Sequence, residues 1–193
     1  MAQQDTLSQF QSIGHDLFIR GLVSSHGGNM SIRTGDRLII TRRGSMLGHL
    51  TKQDLVEIGI EGESEVNVLA SVELPVHRAI YRKTPALAIV HAHPPHAIAL
   101  SMTEDEIVPV DIEGSYLLQK TPVLGSKAAL EAEERAEILS EALEKHKIAL
   151  LWGQGSFAAA QTLEEAHHWT SALEASCQIM WLIKLLGVDL ENK

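Results

Sequence analysis

The sequence has one cysteine, Cys177, so no disulfide can form within the chain. That cysteine lies in an apolar stretch of helical spacing, which marks it as a small buried residue rather than a reactive thiol. No uncharged apolar run reaches the roughly 18 residues of a membrane-spanning helix, so a membrane partner is not expected. Residues 1–5, Met-Ala-Gln-Gln-Asp, lack the basic and apolar regions of a secretory signal, and a cytoplasmic location is expected. No cluster of lysine and arginine offsets a formal net charge of −9, which excludes nucleic acid as an expected partner. No Gly-x-Gly-x-x-Gly follows a strand pattern, so a dinucleotide site is not expected. No repeat, low-complexity tract or linker divides the 193 residues, and a single domain over residues 1–193 is expected.

What is present alternates between two periodicities. Leu7, Phe10, Ile13, Leu17 and Phe18 recur at helical spacing over residues 5–20, before Gly21. Residues 30–33 and 37–41 read as a hairpin around Thr34-Gly35-Asp36, and 55–60 as a further strand. Residues 71–83 read as a helix with Pro75 in its first turn, and 86–93 as a central strand stopped by Pro94-Pro95. A short helix over 96–102 and a strand over 108–111 follow. A long amphipathic helix spans 128–146, strands span 148–152 and 156–160, and a last helix runs over 163–186 behind a Thr162/Glu165 capping box. Helices among strands joined by short turns predict an α/β fold of three layers, a mainly antiparallel sheet flanked by helices.

The polar punctuation of this pattern is where chemistry is expected. On a strand, residues two apart share a face, so His91 and His93 present two imidazoles side by side at the end of an apolar strand. The pair suits a metal such as zinc, and equally suits two hydrogen-bonded histidines. A catalytic zinc takes three protein ligands, and the candidates for a third are His96, near but beyond the prolines, and the distant His26, Glu73, His77, His167 and His168. His167 and His168 adjoin on a helix and point about 100° apart, which disfavours a shared ion.

Two loops have anion-binding composition. Ser24-Ser25-His26-Gly27-Gly28-Asn29 combines glycines, which let backbone N–H groups turn inward, with hydroxyl and amide donors. Thr41-Arg42-Arg43-Gly44-Ser45 offers guanidinium groups that pair with phosphate oxygens. Each serves equally well as a tight turn or a solvated loop. Glu73, at the start of a helix, reads by itself as a residue complementing the helix dipole.

Together and in this order, the segments 21–33, 38–44, 70–73 and 89–93 resemble the class II aldolase/adducin family, in particular its L-fuculose-1-phosphate aldolase type. The resemblance covers residues 7–186. It implies a zinc-dependent, reversible aldol cleavage of a small ketose 1-phosphate to dihydroxyacetone phosphate and an aldehyde, in a homotetramer. It implies that Ser25, Gly28 and Asn29 bind the substrate phosphate, with Gly44 and its neighbour Arg43 in a second loop and Ser71 as a third contact. It implies that Glu73 is the catalytic acid/base and that His91 and His93 are metal ligands.

The chain departs from the family's pattern in two places. Where the family's third zinc histidine is expected, after the strand at 148–152, this sequence has Gln154, a neutral oxygen donor and a weaker zinc ligand. Only two tyrosines exist, and Tyr116 is the candidate donor at the aldehyde end. The alternatives on the same scaffold are a dehydratase or epimerase acting on a phosphosugar, or a non-catalytic assembly module of the adducin kind.

Overall fold

The computed structural model describes residues 6–128 and 130–187. The helices are α1 (Thr6–Ile19), α2 (Leu74–Lys83), α3 (Pro95–Ser101), α4 (Ile112–Leu117), α5 (Ala132–Leu143) and α6 (Leu163–Leu186). The strands are β1 (Asn29–Thr34), β2 (Arg37–Thr41), β3 (Leu55–Gly59), β4 (Ala88–Ala92), β5 (Glu106–Ile107), β6 (Thr121–Leu124), β7 (Ile148–Leu151) and β8 (Gly155–Ala160). They form one eight-stranded sheet in the order β3-β2-β1-β4-β8-β7-β6-β5. Neighbours are antiparallel except β6 and β7, which α5 joins in parallel.

The sheet is covered on both faces, and the period-two alternation of β4 shows how. Ala88, Val90 and Ala92 face a core built with Phe10 and Leu17 of α1, Ala97 and Leu100 of α3, and Leu173 and Cys177 of α6. Ile89 faces the opposite core, with Val76 and Ile80 of α2, Leu139 and Leu143 of α5, and Phe157 of β8. β4 is buried at every position, which explains why its sequence is apolar without a break until His91. His91 has the parity of Ile89 and therefore faces the α2/α5 side. Cys177 is buried, as its apolar surroundings imply, and burial raises its thiol pKa.

The three-layer, mainly antiparallel architecture is the one expected, and the element boundaries carry several corrections. Asp5, the expected start of the first helix, lies outside the described residues, as does Ala129 in the helix expected over 128–146. α5 is limited to residues 132–143. The strand expected over 108–111 is displaced to β5, because Pro109 has no N–H to give a ladder and Asp111 instead caps α4, its Oδ1 accepting from the Gly114 N–H at 2.8 Å. α4 and β6 were not foreseen, being too short for a periodicity to show. The helix expected from residue 71 begins at Leu74, with consequences for the site. Of the expected capping box, one half forms: Thr162 Oγ1 accepts from the Glu165 N–H at 3.1 Å, whereas the Glu165 carboxylate accepts from the Gln161 N–H at 3.0 Å.

Candidate active site

The site begins with the register of three central strands. Asn29 of β1 lies opposite His91 of β4, and His91 lies opposite Phe157 of β8. The His91 ring stacks on Phe157 with centroids 4.0 Å apart and planes 13° from parallel. His91 Nδ1 is 2.9 Å from the Ser156 carbonyl oxygen, a pure acceptor, so Nδ1 carries the proton and Nε2 keeps its lone pair. Burial, with the neighbouring His93 adding to it, holds His91 well below the usual histidine range, and burial lowers His93 as well. Just past the strand end, His93 presents its Nε2 at 3.1 Å from His91 Nε2. The two imidazoles therefore converge through their Nε2 atoms, which could hold a metal ion between them.

Three loops surround this pair. Gly28 adopts φ +75°, and a Cβ there would lie 2.7 Å from the His91 carbonyl oxygen, so only glycine lets the loop close against β4. The loop after β2 is zipped to the segment before α2 through an Arg42–Ala70 bridge, with the Arg43 N–H on the Leu69 carbonyl at 2.9 Å and the Ser71 N–H on the Thr41 carbonyl at 3.1 Å. Those bonds hold residues 71–73 out of the helix. Glu73 takes φ −87° and ψ 11° at the N-terminal boundary of α2, its own N–H on Ser71 Oγ at 3.3 Å. A glutamate in the first turn would face solvent; this one is only 5% exposed and turns into the cavity.

Gly28, Asn29, Arg43, Gly44, Ser71, Glu73, His91, His93 and Gln154 line one cavity of about 420 Å³, together with His26 and Arg42. Gln154 reaches it from the turn between β7 and β8, and its Nε2 donates to Glu73 Oε1 at 3.3 Å. A residue that sequence reasoning missed approaches the same oxygen: Arg135 of α5, whose Nη2 is 3.5 Å from Glu73 Oε1. Its Nη1 donates to the Leu130 carbonyl at 2.8 Å. An arginine in the first turn of a glutamate-rich helix gives no sign of a site; only the packing of α5 against α2 turns it inward. Glu73 Oε2 and Arg135 Nε are buried with no hydrogen-bond partner among the described residues.

Other expected participants fall elsewhere. Ser25 is exposed at the rim, beside His26 Nδ1 at 3.0 Å, and does not line the cavity. Tyr116 is 82% exposed on α4 and does not line the cavity of its own chain. Among the candidate third ligands, His96 binds the Glu174 carboxylate through Nδ1 at 2.6 Å, and His167 and His168 sit on α6 beside the α1 groove. His77 has both ring nitrogens engaged, with Ser31 and with Asn29. Among the described residues no group of three His, Cys, Asp or Glu is placed to hold a metal ion, so the histidine pair has no third partner of those types.

Residues 8–181 match the family model of the class II aldolase and adducin N-terminal domain. The chain belongs to the class II aldolase/adducin family. Its structure superposes on the crystal structure of an L-fuculose-1-phosphate aldolase from Thermus thermophilus with a TM-score of 0.88 and 41% identity, over 94% of this chain and 95% of that one. It is 30% identical to an L-fuculose phosphate aldolase of Methanococcus maripaludis, over 94% of this chain and 98% of that protein. It is 34% identical over 97 residues to a probable bifunctional methylthioribose-1-phosphate isomerase/methylthioribulose-1-phosphate dehydratase of Nocardia farcinica; that match covers 49% of this chain and 18% of the longer protein. The chain is thus a class II aldolase, a lyase, of the fuculose-1-phosphate-aldolase-like kind.

Proposed function

We propose that this enzyme catalyses the reversible, metal-dependent aldol cleavage of a small ketose 1-phosphate to dihydroxyacetone phosphate and an aldehyde, acting as one family domain in a cytoplasmic homotetramer. The observation that carries the reading is the single cavity in which a buried carboxylate with one free oxygen meets a pair of imidazole nitrogens and two glycine-containing loops.

The residues fit a divalent metal. His91 is locked with Nε2 as an acceptor, both rings are kept neutral by burial, and their Nε2 atoms are 3.1 Å apart. Two ligand nitrogens on one tetrahedral zinc are separated by about 3.3 Å. His91 and His93 would hold the ion, and Gln154, whose amide nitrogen is turned to Glu73, has its carbonyl oxygen left to serve as a third donor. A bound metal supplies Lewis-acid polarisation of the substrate's hydroxyl and carbonyl oxygens.

The chain's own residues do the rest. Backbone amides of the loops at Gly28 and Gly44, the Asn29 amide, Ser71 and Arg43 bind the phosphate and fix the ketose along the cavity. In cleavage the C4 hydroxyl gives its proton to water as the bond between C3 and C4 breaks, the aldehyde leaves, and the electron pair left on C3 takes a proton from Glu73; in synthesis Glu73 removes that C3 proton and the C4 oxygen regains one from water. Oε2 is the working oxygen, because Oε1 is held by Gln154 and faces Arg135. The exposure of α4, with Ile112 at 91% and Tyr116 at 82%, supports a role for Tyr116 as aldehyde-end donor to a neighbouring subunit of the homotetramer rather than to its own cavity.

Release of dihydroxyacetone phosphate from ketose 1-phosphates tests the reading directly. A metal-loaded enzyme that converts none of them but dehydrates methylthioribulose 1-phosphate would replace it with the dehydratase reading, which the Nocardia farcinica relative supports.

A further inference from the structure

Behind the cavity wall, α2 carries a fully buried histidine that no metal or substrate role explains. His77 Nε2 is 2.6 Å from Asn29 Oδ1, His77 Nδ1 is 2.6 Å from Ser31 Oγ, and Ser31 Oγ is 2.7 Å from the Tyr81 hydroxyl. His77 and Ser31 are completely buried, Tyr81 is 1% exposed and Asn29 6%. Asn29 and Ser31 alternate to one face of β1, while His77 and Tyr81 are one helical turn apart on α2, so strand and helix periodicities bring the four groups into one line.

The line has a direction. The Tyr81 hydroxyl has no other partner among the described residues, so its proton goes to Ser31 Oγ. Ser31 then donates to His77 Nδ1, and His77, with its single proton on Nε2, donates to Asn29 Oδ1. The reverse order would bury the Tyr81 proton without an acceptor, which costs a full desolvation penalty. Burial lowers the His77 pKa to about 3, so the ring is neutral and the order holds at neutral pH. With Oδ1 committed, Asn29 must turn its amide nitrogen, which has no partner among the described residues, toward the cavity it lines.

We propose that His77 is a positioning residue: the Tyr81–Ser31–His77 line fixes Asn29 with its amide nitrogen, not its oxygen, facing the cavity, where it donates to a phosphate oxygen. The inference rests on the reading of the Gly28–Asn29 loop as a phosphate site. A free asparagine amide has two nearly isosteric orientations, and one of them would point a carbonyl dipole at the anion. The buried line removes that choice before the ligand arrives.

Inorganic phosphate binding, measured by titration calorimetry on the whole chain, tests both levels. Asn29→Ala raises the phosphate Kd about 10- to 100-fold, the scale of one hydrogen bond to a charged group; an unchanged Kd overturns the phosphate-site reading itself. Ser31→Ala leaves Asn29 and His77 in place but frees His77 to carry its proton on Nδ1, and it raises the Kd about tenfold. An Asn29→Ala loss with Ser31→Ala and His77→Leu unchanged overturns the positioning role alone. His77→Gln, which keeps a donor toward Asn29, restores binding to within about threefold of wild type. Should His77→Leu fail to fold, nitrogen-15 spectra of the wild-type histidines still decide: a neutral His77 protonated on Nε2 is required, and protonation on Nδ1 overturns the proposal.

Discussion

The two walls of the cavity are built differently. On the strand wall, Asn29, His91 and Phe157 lie in register, and behind them each hydroxyl and ring nitrogen of the line through His77 has a close partner. On the helix wall, Glu73, Gln154 and Arg135 meet at 3.3 and 3.5 Å, and two of their buried polar atoms lack partners among the described residues. A satisfied buried network is rigid and costs nothing further when a ligand arrives, whereas an unsatisfied carboxylate oxygen marks where a ligand must complete the structure. On the proposed reading, the strand wall holds the ligand and the helix wall reacts with it.

The hardest test of this contrast removes the reacting group. Glu73→Gln keeps the shape and the contact to Gln154 but cannot move a proton, and it lowers dihydroxyacetone phosphate release about 10²- to 10⁴-fold with an unchanged circular dichroism spectrum. Full activity in this variant would end the assignment of Glu73 as acid/base. Next in size, His91→Ala removes one of two imidazoles, and elemental analysis of the purified variant shows loss of metal. Gln154→His shows higher occupancy than wild type at equal metal concentration. Occupancy that is insensitive to both substitutions would take the metal site away from this pair.

Arg135→Met probes the missed member of the helix wall. With Oε1 facing one donor fewer, kcat falls about tenfold while KM stays within about threefold, and Arg135→Lys recovers part of the loss. A rise in KM alone would make Arg135 a binding residue instead.

The smallest effect sharpens the strand wall. The folded pKa of His77 is depressed to about 3 from an ordinary value of 6.5, so the unfolded chain binds a proton there that the folded chain refuses. Stability from this group is present above about pH 6.5 and is lost progressively as pH falls toward 3. The denaturation midpoint therefore declines on acidification, and less steeply in His77→Gln, which has no titrating ring.

The outline of the fold was legible because β4, α6 and the β1–β2 hairpin each satisfy one periodicity and bury one face. Short elements were not: α4 and the two-residue β5 are set by Asp111 and Pro109 and by docking to the sheet, not by a repeating pattern. The histidine pair was legible for the same reason as the strand, since the period of two puts both rings on one face. Ser25 and Tyr116 show the opposite limit, because a motif position says which residue type is available and not whether the chain turns it inward.

Sequence alone determined the layer pattern, the His91–His93 pairing and the two glycine-containing loops, all of which depend on residue type and short-range spacing; that Gln154 stands where a third histidine is expected follows from the family resemblance. Tertiary structure decided which oxygen of Glu73 is free, that Arg135 approaches the other, and that Asn29 is held from behind by His77. Each of those joins residues 48 to 81 positions apart, and only the packing of α2 and α5 onto the sheet brings them within hydrogen-bond reach.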